Sequence, residues 1–336
     1  MTADPPATRA RPVMDPAETV RRQVAPSALA PPVTPTGSVY VIAHMGIAHV
    51  PAREWSLAIE GAVRRPARLT YDALRARPAE TLESVLECFG NPVEPDVATR
   101  RVANVRWRGA RLWPLLAEAG VEARATCAWL EAPDHGSFAG VASDQYVKDV
   151  ALETVRERPV LLAWEMNGEP LTTEHGFPVR AVVPGFFGTN SVKWVSRVYV
   201  AEDRPESLFT TRLYNRRVVV DGRERLLPVR DLDVHSIIVS PAEGDRLSPG
   251  ARAIEGWAWS AAPVSRVEAS ADGGRTWLPA RLEPRRQGWA WQRFAADWTP
   301  GGTGDFALRC RATDEGGRTQ PETGRNRIHE VTVSVR

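Results

Sequence analysis

LLAWEMNGEPLTTEHGFPVRAVVPGFFGTNSVKWVSRVYV, residues 161–200, is the stretch on which the fold turns. Its last ten residues, SVKWVSRVYV, are rich in β-branched side chains, which suit a pleated surface, and read as a central strand. The VVPGFFGTN before them carries Pro, Gly and Asn and reads as a loop. Upstream, EWSLAIEG (54–61) alternates Trp55, Leu57 and Ile59 with polar or small residues, the pattern of a half-buried strand, and Thr70 before YDALRA stands as a helix N-cap. In RLWPLLAEAGV (111–121) Leu112, Leu115, Leu116 and Ala119 recur at helical spacing, and Gly120 fits the left-handed stop that follows a helix. This part of the chain therefore mixes helix and strand.

After about Leu227 helical periodicity vanishes. GWAWS, SRVEASADGGRTWLPARLE, GWAWQRFAADW, GDFALRCRATDEGGRTQP and HEVTVSV are short strands divided by Gly, Asp and Pro turns. A run of roughly a hundred residues with that spacing suits an immunoglobulin-like sandwich, although the cysteine pair of antibody domains is missing. Gly273 and Gly274 read as a hairpin turn and not a phosphate loop. Trp257, Trp259, Trp289 and Trp291, in two WAW strings, read as packing aromatics in preference to a ligand platform. Residues 1–38 hold eight of the 28 prolines and read as an extended or disordered lead that hugs the surface. The fold expected is α+β: the lead over 1–38, a mixed domain over 39–226 and an all-β sandwich over 227–336.

Composition narrows the function. With 43% hydrophobic and 25% charged residues the chain is an ordinary globular protein, and a net charge of +2 gives no polyanion-binding signal, so nucleic acid is not an expected partner. No run of about 18 apolar residues occurs, so no membrane span is expected. Arg21 and Arg22 resemble a twin-arginine export signal, but RRQVAPSALAPPV lacks the apolar core that such a signal needs. The expected location is the cytoplasm, or the periplasm if an export signal has been removed.

Cys88, Cys127 and Cys310 are too scattered for a zinc site or a disulfide scaffold. Cys88 ends the apolar run of LESVLECFGNP, where a strand breaks at Gly90, Asn91 and Pro92. A thiolate held there can face a cavity and bind a metal, although a small buried apolar role is the common fate of a free cysteine. No dinucleotide fingerprint, CxxCH haem attachment or ferredoxin-type cysteine cluster is present.

From Pro32 to about Val200 the chain resembles the molybdopterin-binding domain of the sulfite oxidase family. The resemblance runs in order through PVTPTGSVYVIAHMG, CFGN, NVRWRGARLWPLLAEAGV, WLEAPD and the opening stretch. The sandwich resembles the family's dimerisation domain, most clearly at DGGRTW. The resemblance implies Cys88 as the protein ligand to molybdenum, and His44, Asp134, His175, Arg180, Ser191 and Lys193 as contacts to the pterin and its phosphate. It implies Tyr214 as an active-site tyrosine whose phenol, with an ordinary pKa of about 10, donates a hydrogen bond and does not act as a base. It further implies one pterin per molybdenum, a homodimer formed through the C-terminal domain and a small-molecule substrate. With no haem expected on this chain, electrons would leave to a separate acceptor such as a cytochrome.

The expected reaction is oxygen-atom transfer between water and a small substrate, with sulfite to sulfate the leading choice. Another sulfur compound, or reduction of a sulfoxide or nitrate, stands as the enzymatic alternative, and a non-catalytic scaffold with a decayed site as the rival from another class. The alternatives arise because arginines usual in the family are replaced by Ile42, Pro92 and Val93, and the loop near Gly324–Ile328 is short. Arg100, Arg101, Arg216 and Arg217 are candidates to compensate.

Overall fold

The computed structural model describes residues 11–91 and 98–336. Pro92 and Val93 lie outside the described residues. Two sheets carry the first part of the chain. One is five-stranded, in the order Tyr146–Ala151, Cys127–Ala132, Arg197–Ala201, Ser56–Gly61 and Ala67–Thr70. Arg197–Ala201, the end of the opening stretch, is its middle strand, as its β-branched composition predicts, and pairs in parallel with Ser56–Gly61. That parallel partner explains one departure from expectation: Leu57, Ala58 and Ile59 are all buried, so this strand is covered on both faces and not on one.

The second sheet runs Glu169–Pro170, Leu161–Met166, Val102–Arg111, Ala79–Glu87, with Arg180–Val182 also on Leu161–Met166. Between the sheets packs a core that includes Trp55, Leu57, Leu112, Leu116, Leu162, Trp194 and Phe209. Leu112–Ala119 is a helix closed by Gly120 at φ 74°, where a non-glycine residue would be strained. The Thr70 hydroxyl caps Tyr71–Arg75 by accepting from the Ala73 amide.

Residues 235–335 form two facing sheets. His235–Ser240, Arg252–Trp259, Gln292–Trp298 and Arg281–Leu282 make one; Arg246–Leu247, His329–Val335, Gly304–Asp314, Val264–Ser270 and Leu278–Pro279 make the other. Ile238, Val267, Phe294, Leu308 and Val333 fill the space between them. The described part of the lead is a strap: Val13–Met14 pairs with Ala48–His49, and Val20–Arg22 with Val41–Ala43. The tryptophans rivet it to the sandwich. Trp257 Nε1 donates to the Leu29 carbonyl at 2.7 Å and Trp291 Nε1 to that of Pro32 at 2.8 Å, with the two indoles stacked 4.7 Å apart. Among the described residues no helix is long and apolar enough to cross a membrane.

Candidate active site

Every side chain singled out above, His44, Cys88, Asp134, His175, Arg180, Ser191, Lys193 and Tyr214, lines one cleft of about 640 Å³, counting the part open to solvent. They come from separate segments, so only folding brings them together.

Cys88 follows the last residue of Ala79–Glu87. Its amide donates to the Arg101 carbonyl at 2.9 Å, and its Sγ accepts from the Gly90 amide at 3.4 Å. Burial raises the thiol's pKa, while the Gly90 amide and the neighbouring Arg101 favour the thiolate and limit the rise. Among the described residues no three His, Cys, Asp or Glu side chains gather as a metal centre. The cleft thus offers a metal one thiol, which fits a metal that brings its other ligands with it.

The same cleft holds two cationic side chains, Arg180 and Lys193. Arg180 is buried, with its Nε unpartnered and its Nη1 reaching only the His175 carbonyl at 3.4 Å. Lys193 Nζ donates to the carbonyls of Ile42 and Glu174 at 2.9 and 3.0 Å. Burial pulls the pKa values of both down, that of Arg180 to about 10, and Arg180 adds to the effect on Lys193. Burial, with Arg180 next, also holds His175 neutral at about 3, and its Nε2 makes no hydrogen bond, with Glu174 Oε1 3.9 Å away. Burial raises the pKa of Asp134 against the pull of the nearby Lys193, and its Oδ1 is likewise unpartnered. Buried polar atoms without partners cost about 1–3 kcal/mol each. Three facing the same cleft, beside the buried Arg180 and the half-buried Lys193, match a ligand with an anionic group and a polar edge, as a phosphorylated pterin has. The residues fit that group. Ser191 is partly used already, its Oγ accepting from the Val183 amide at 3.1 Å, which leaves its own proton to donate.

Tyr214 has φ 59°, a left-handed backbone costing about 1–2 kcal/mol for a non-glycine residue. Its carbonyl is held by the Val229 amide at 2.9 Å, and its hydroxyl meets His44 Nε2 at 2.5 Å. Burial keeps the phenol protonated, far above its ordinary range, and lowers the pKa of His44 to about 3.

Tyr40, Tyr146, Glu174 and Thr189 also line the cleft, and the sequence did not mark them. Tyr146 bonds Thr189 through its hydroxyl at 2.7 Å. In SVYV and DQYV these tyrosines sit at strand spacing and look like core, so no local signal distinguishes them. The arginines divide. Arg216 is clamped by Asp233 at 2.8 and 2.9 Å, Arg217 is exposed and lies 3.6 Å from Glu224, and Arg100 lines a different hollow. Arg101 reaches the Cys88 segment, donating to the Gly90 carbonyl at 3.2 Å and to Gln23 at 2.7 Å, and the clamped Arg216 lies 5.4 Å from the Phe89 ring. The short C-terminal loop still brings Arg325 to 4.9 Å from the Phe89 ring, but Asp233 holds it too.

Comparison with known proteins accords with this geometry. The oxidoreductase molybdopterin binding domain matches residues 44–209, and the Mo-co oxidoreductase dimerisation domain matches residues 227–334. Mitochondrial sulfite oxidase of Homo sapiens is 32% identical over 93% of this chain and 63% of that protein. Sulfite oxidase of Gallus gallus is 31% identical over 87% and 68%. Nitrate reductase [NADH] 2 of Phaseolus vulgaris is 28% identical over 86% and 37%. The sulfane dehydrogenase SoxCD from Paracoccus pantotrophus superposes with a TM-score of 0.81 at 26% identity, over 100% of this chain and 96% of that one. The chain thus spans somewhat under two thirds of the human relative's length.

Proposed function

Because this chain belongs to the sulfite oxidase family of molybdopterin-dependent oxidoreductases, we propose that it holds one pterin-bound molybdenum through Cys88 and transfers an oxygen atom between water and a small substrate, sulfite first. The bound metal supplies a two-electron redox change and exchange of an oxygen atom with water. The protein's own residues bind, orient and hold protons. Arg180 and Lys193 take the anionic end of the pterin, His175 Nε2 and Asp134 Oδ1 its polar edge, and Ser191 donates. With His44 neutral and Tyr214 protonated, their contact holds one proton between two uncharged rings, the phenol keeping it and donating a hydrogen bond to Nε2. Homodimers form through the sandwich, and electrons pass to a separate acceptor such as a cytochrome.

The observation that carries this reading is the convergence of unpartnered Asp134, His175 and Arg180 atoms on the cleft that a single thiol also lines. A second reading is that the substrate bears less charge than sulfite, as a sulfane sulfur or sulfoxide would. Its support is that Asp233 pairs with both Arg216 and Arg325, drawing them away from the cleft lining, and that Ile42 lines the cleft. Metal and pterin analysis of protein from a molybdenum-replete host tests the cofactor: one molybdenum per chain is expected, and none would end the proposal. A dye-coupled assay with sulfite, sulfoxides and nitrate then ranks the substrates, and Cys88→Ser should abolish turnover with all of them.

A further inference from the structure

Glu87 is a carboxylate only 1% exposed and is joined directly to Cys88. Its Oε2 accepts from Trp259 Nε1 at 2.8 Å. Its Oε1 lies 3.1 Å from His235 Nδ1 and accepts from Asn91 Nδ2 at 3.2 Å, with Arg325 Nη1 3.7 Å away. Trp259 and His235 belong to the sandwich, Arg325 to its C-terminal loop, and Asn91 to the turn just after Cys88. Burial keeps His235 neutral, so it bonds the carboxylate by carrying its proton on Nδ1.

A short circuit of bonds then encloses the thiol. Asn91, held by Glu87, accepts the Arg101 amide on its Oδ1 at 2.6 Å, and the Arg101 carbonyl accepts the Cys88 amide at 2.9 Å. We infer that Glu87 is a positioning residue through which the C-terminal sandwich fixes the placement of Cys88, and this rests on Cys88 being the metal ligand. Apolar contact alone would leave a strand end beside a glycine turn free to slide and fray, whereas directed bonds to a buried carboxylate allow it one position. Burying that carboxylate is costly unless it is fully bonded, and the sandwich supplies donors from two separate strands, with the Arg325 charge 3.7 Å away. The unit that pairs subunits therefore also sets the geometry of the metal ligand.

Glu87→Gln puts an amide donor where three donors converge, and Trp259→Phe removes one donor from the sandwich side while leaving the Cys88 segment untouched. Two readouts apply to the full chain. In cofactor-free protein, exchange of the Cys88 amide should quicken about tenfold in either variant, as expected when one charge-assisted hydrogen bond is lost, with the sandwich strands unchanged. In loaded protein the Mo(V) resonance should shift, because the sulfur's orientation changes. Faster exchange spread evenly over the chain, with an unaltered resonance, would reduce Glu87 to a structural clasp and overturn the inference. If wild-type protein binds no molybdenum, the cofactor reading falls, while the exchange arm still decides whether the sandwich holds Cys88. Should Glu87→Gln fail to fold, Trp259→Phe alone separates the two outcomes.

Discussion

His44 and His175 are both held near a pKa of 3 by burial, followed by Lys193 for His44 and Arg180 for His175, against about 6.5 in an unfolded chain. Between those values the unfolded chain binds protons that the folded chain excludes. Stability is thus fully present above about pH 6.5 and lost as pH falls toward 3, with a slope of up to about 2.7 kcal/mol per pH unit for the two groups. Urea midpoints of cofactor-free protein at about pH 7, 6 and 5 should fall in that order, the buried His235 and His329 adding to the fall and Asp134 opposing it, and His175→Gln should make the fall shallower. A flat series would mean that these imidazoles protonate freely in the fold. For Tyr214→Phe we expect molybdenum content unchanged and turnover down about a hundredfold, because the hydroxyl alone is removed. Cys88 was legible at this scale, as a sulfur at a strand break. Tyr40 and Tyr146 were not, because strand spacing gives core and cleft aromatics the same pattern.

Among the elements, the Gly188–Asn190 turn lies directly beneath Tyr40. A Cβ on Gly188 would stand 2.6 Å from the Tyr40 hydroxyl and 3.2 Å from Leu86. Gly188→Ala should therefore narrow the cleft and lower pterin content, measured as released pterin fluorescence, with little change in melting temperature; full pterin content would show that the wall yields. The helix Leu112–Ala119, the cap at Thr70 and the middle strand Arg197–Ala201 were all readable, since periodicity and turn chemistry are local. The double burial of Ser56–Gly61 was not, because it follows from a partner strand some 140 residues away in sequence.

Over the whole molecule, the sandwich and the mixed part are joined by indoles. Trp257→Ala would remove a buried ring that stacks on Trp291 and anchors Leu29, at a cost of about 3–5 kcal/mol. One cooperative unfolding transition, shifted down in this variant, is expected by calorimetry; two separated transitions in the wild type would show that the indoles do not couple the parts. By itself the sequence determined the change of texture near Leu227, the helix at Leu112–Ala119, the thiol at the strand break and, through the resemblance, eight of the side chains that face the cleft. Only the tertiary structure decided that Asp233 ties up Arg216 and Arg325, that the lead is strapped to the sandwich, and that Glu87 is gripped by His235 and Trp259. Patterning is set by neighbours two to four residues apart, whereas an ion pair or hydrogen bond between residues in different segments of the chain leaves no periodic trace and exists only once both ends are packed.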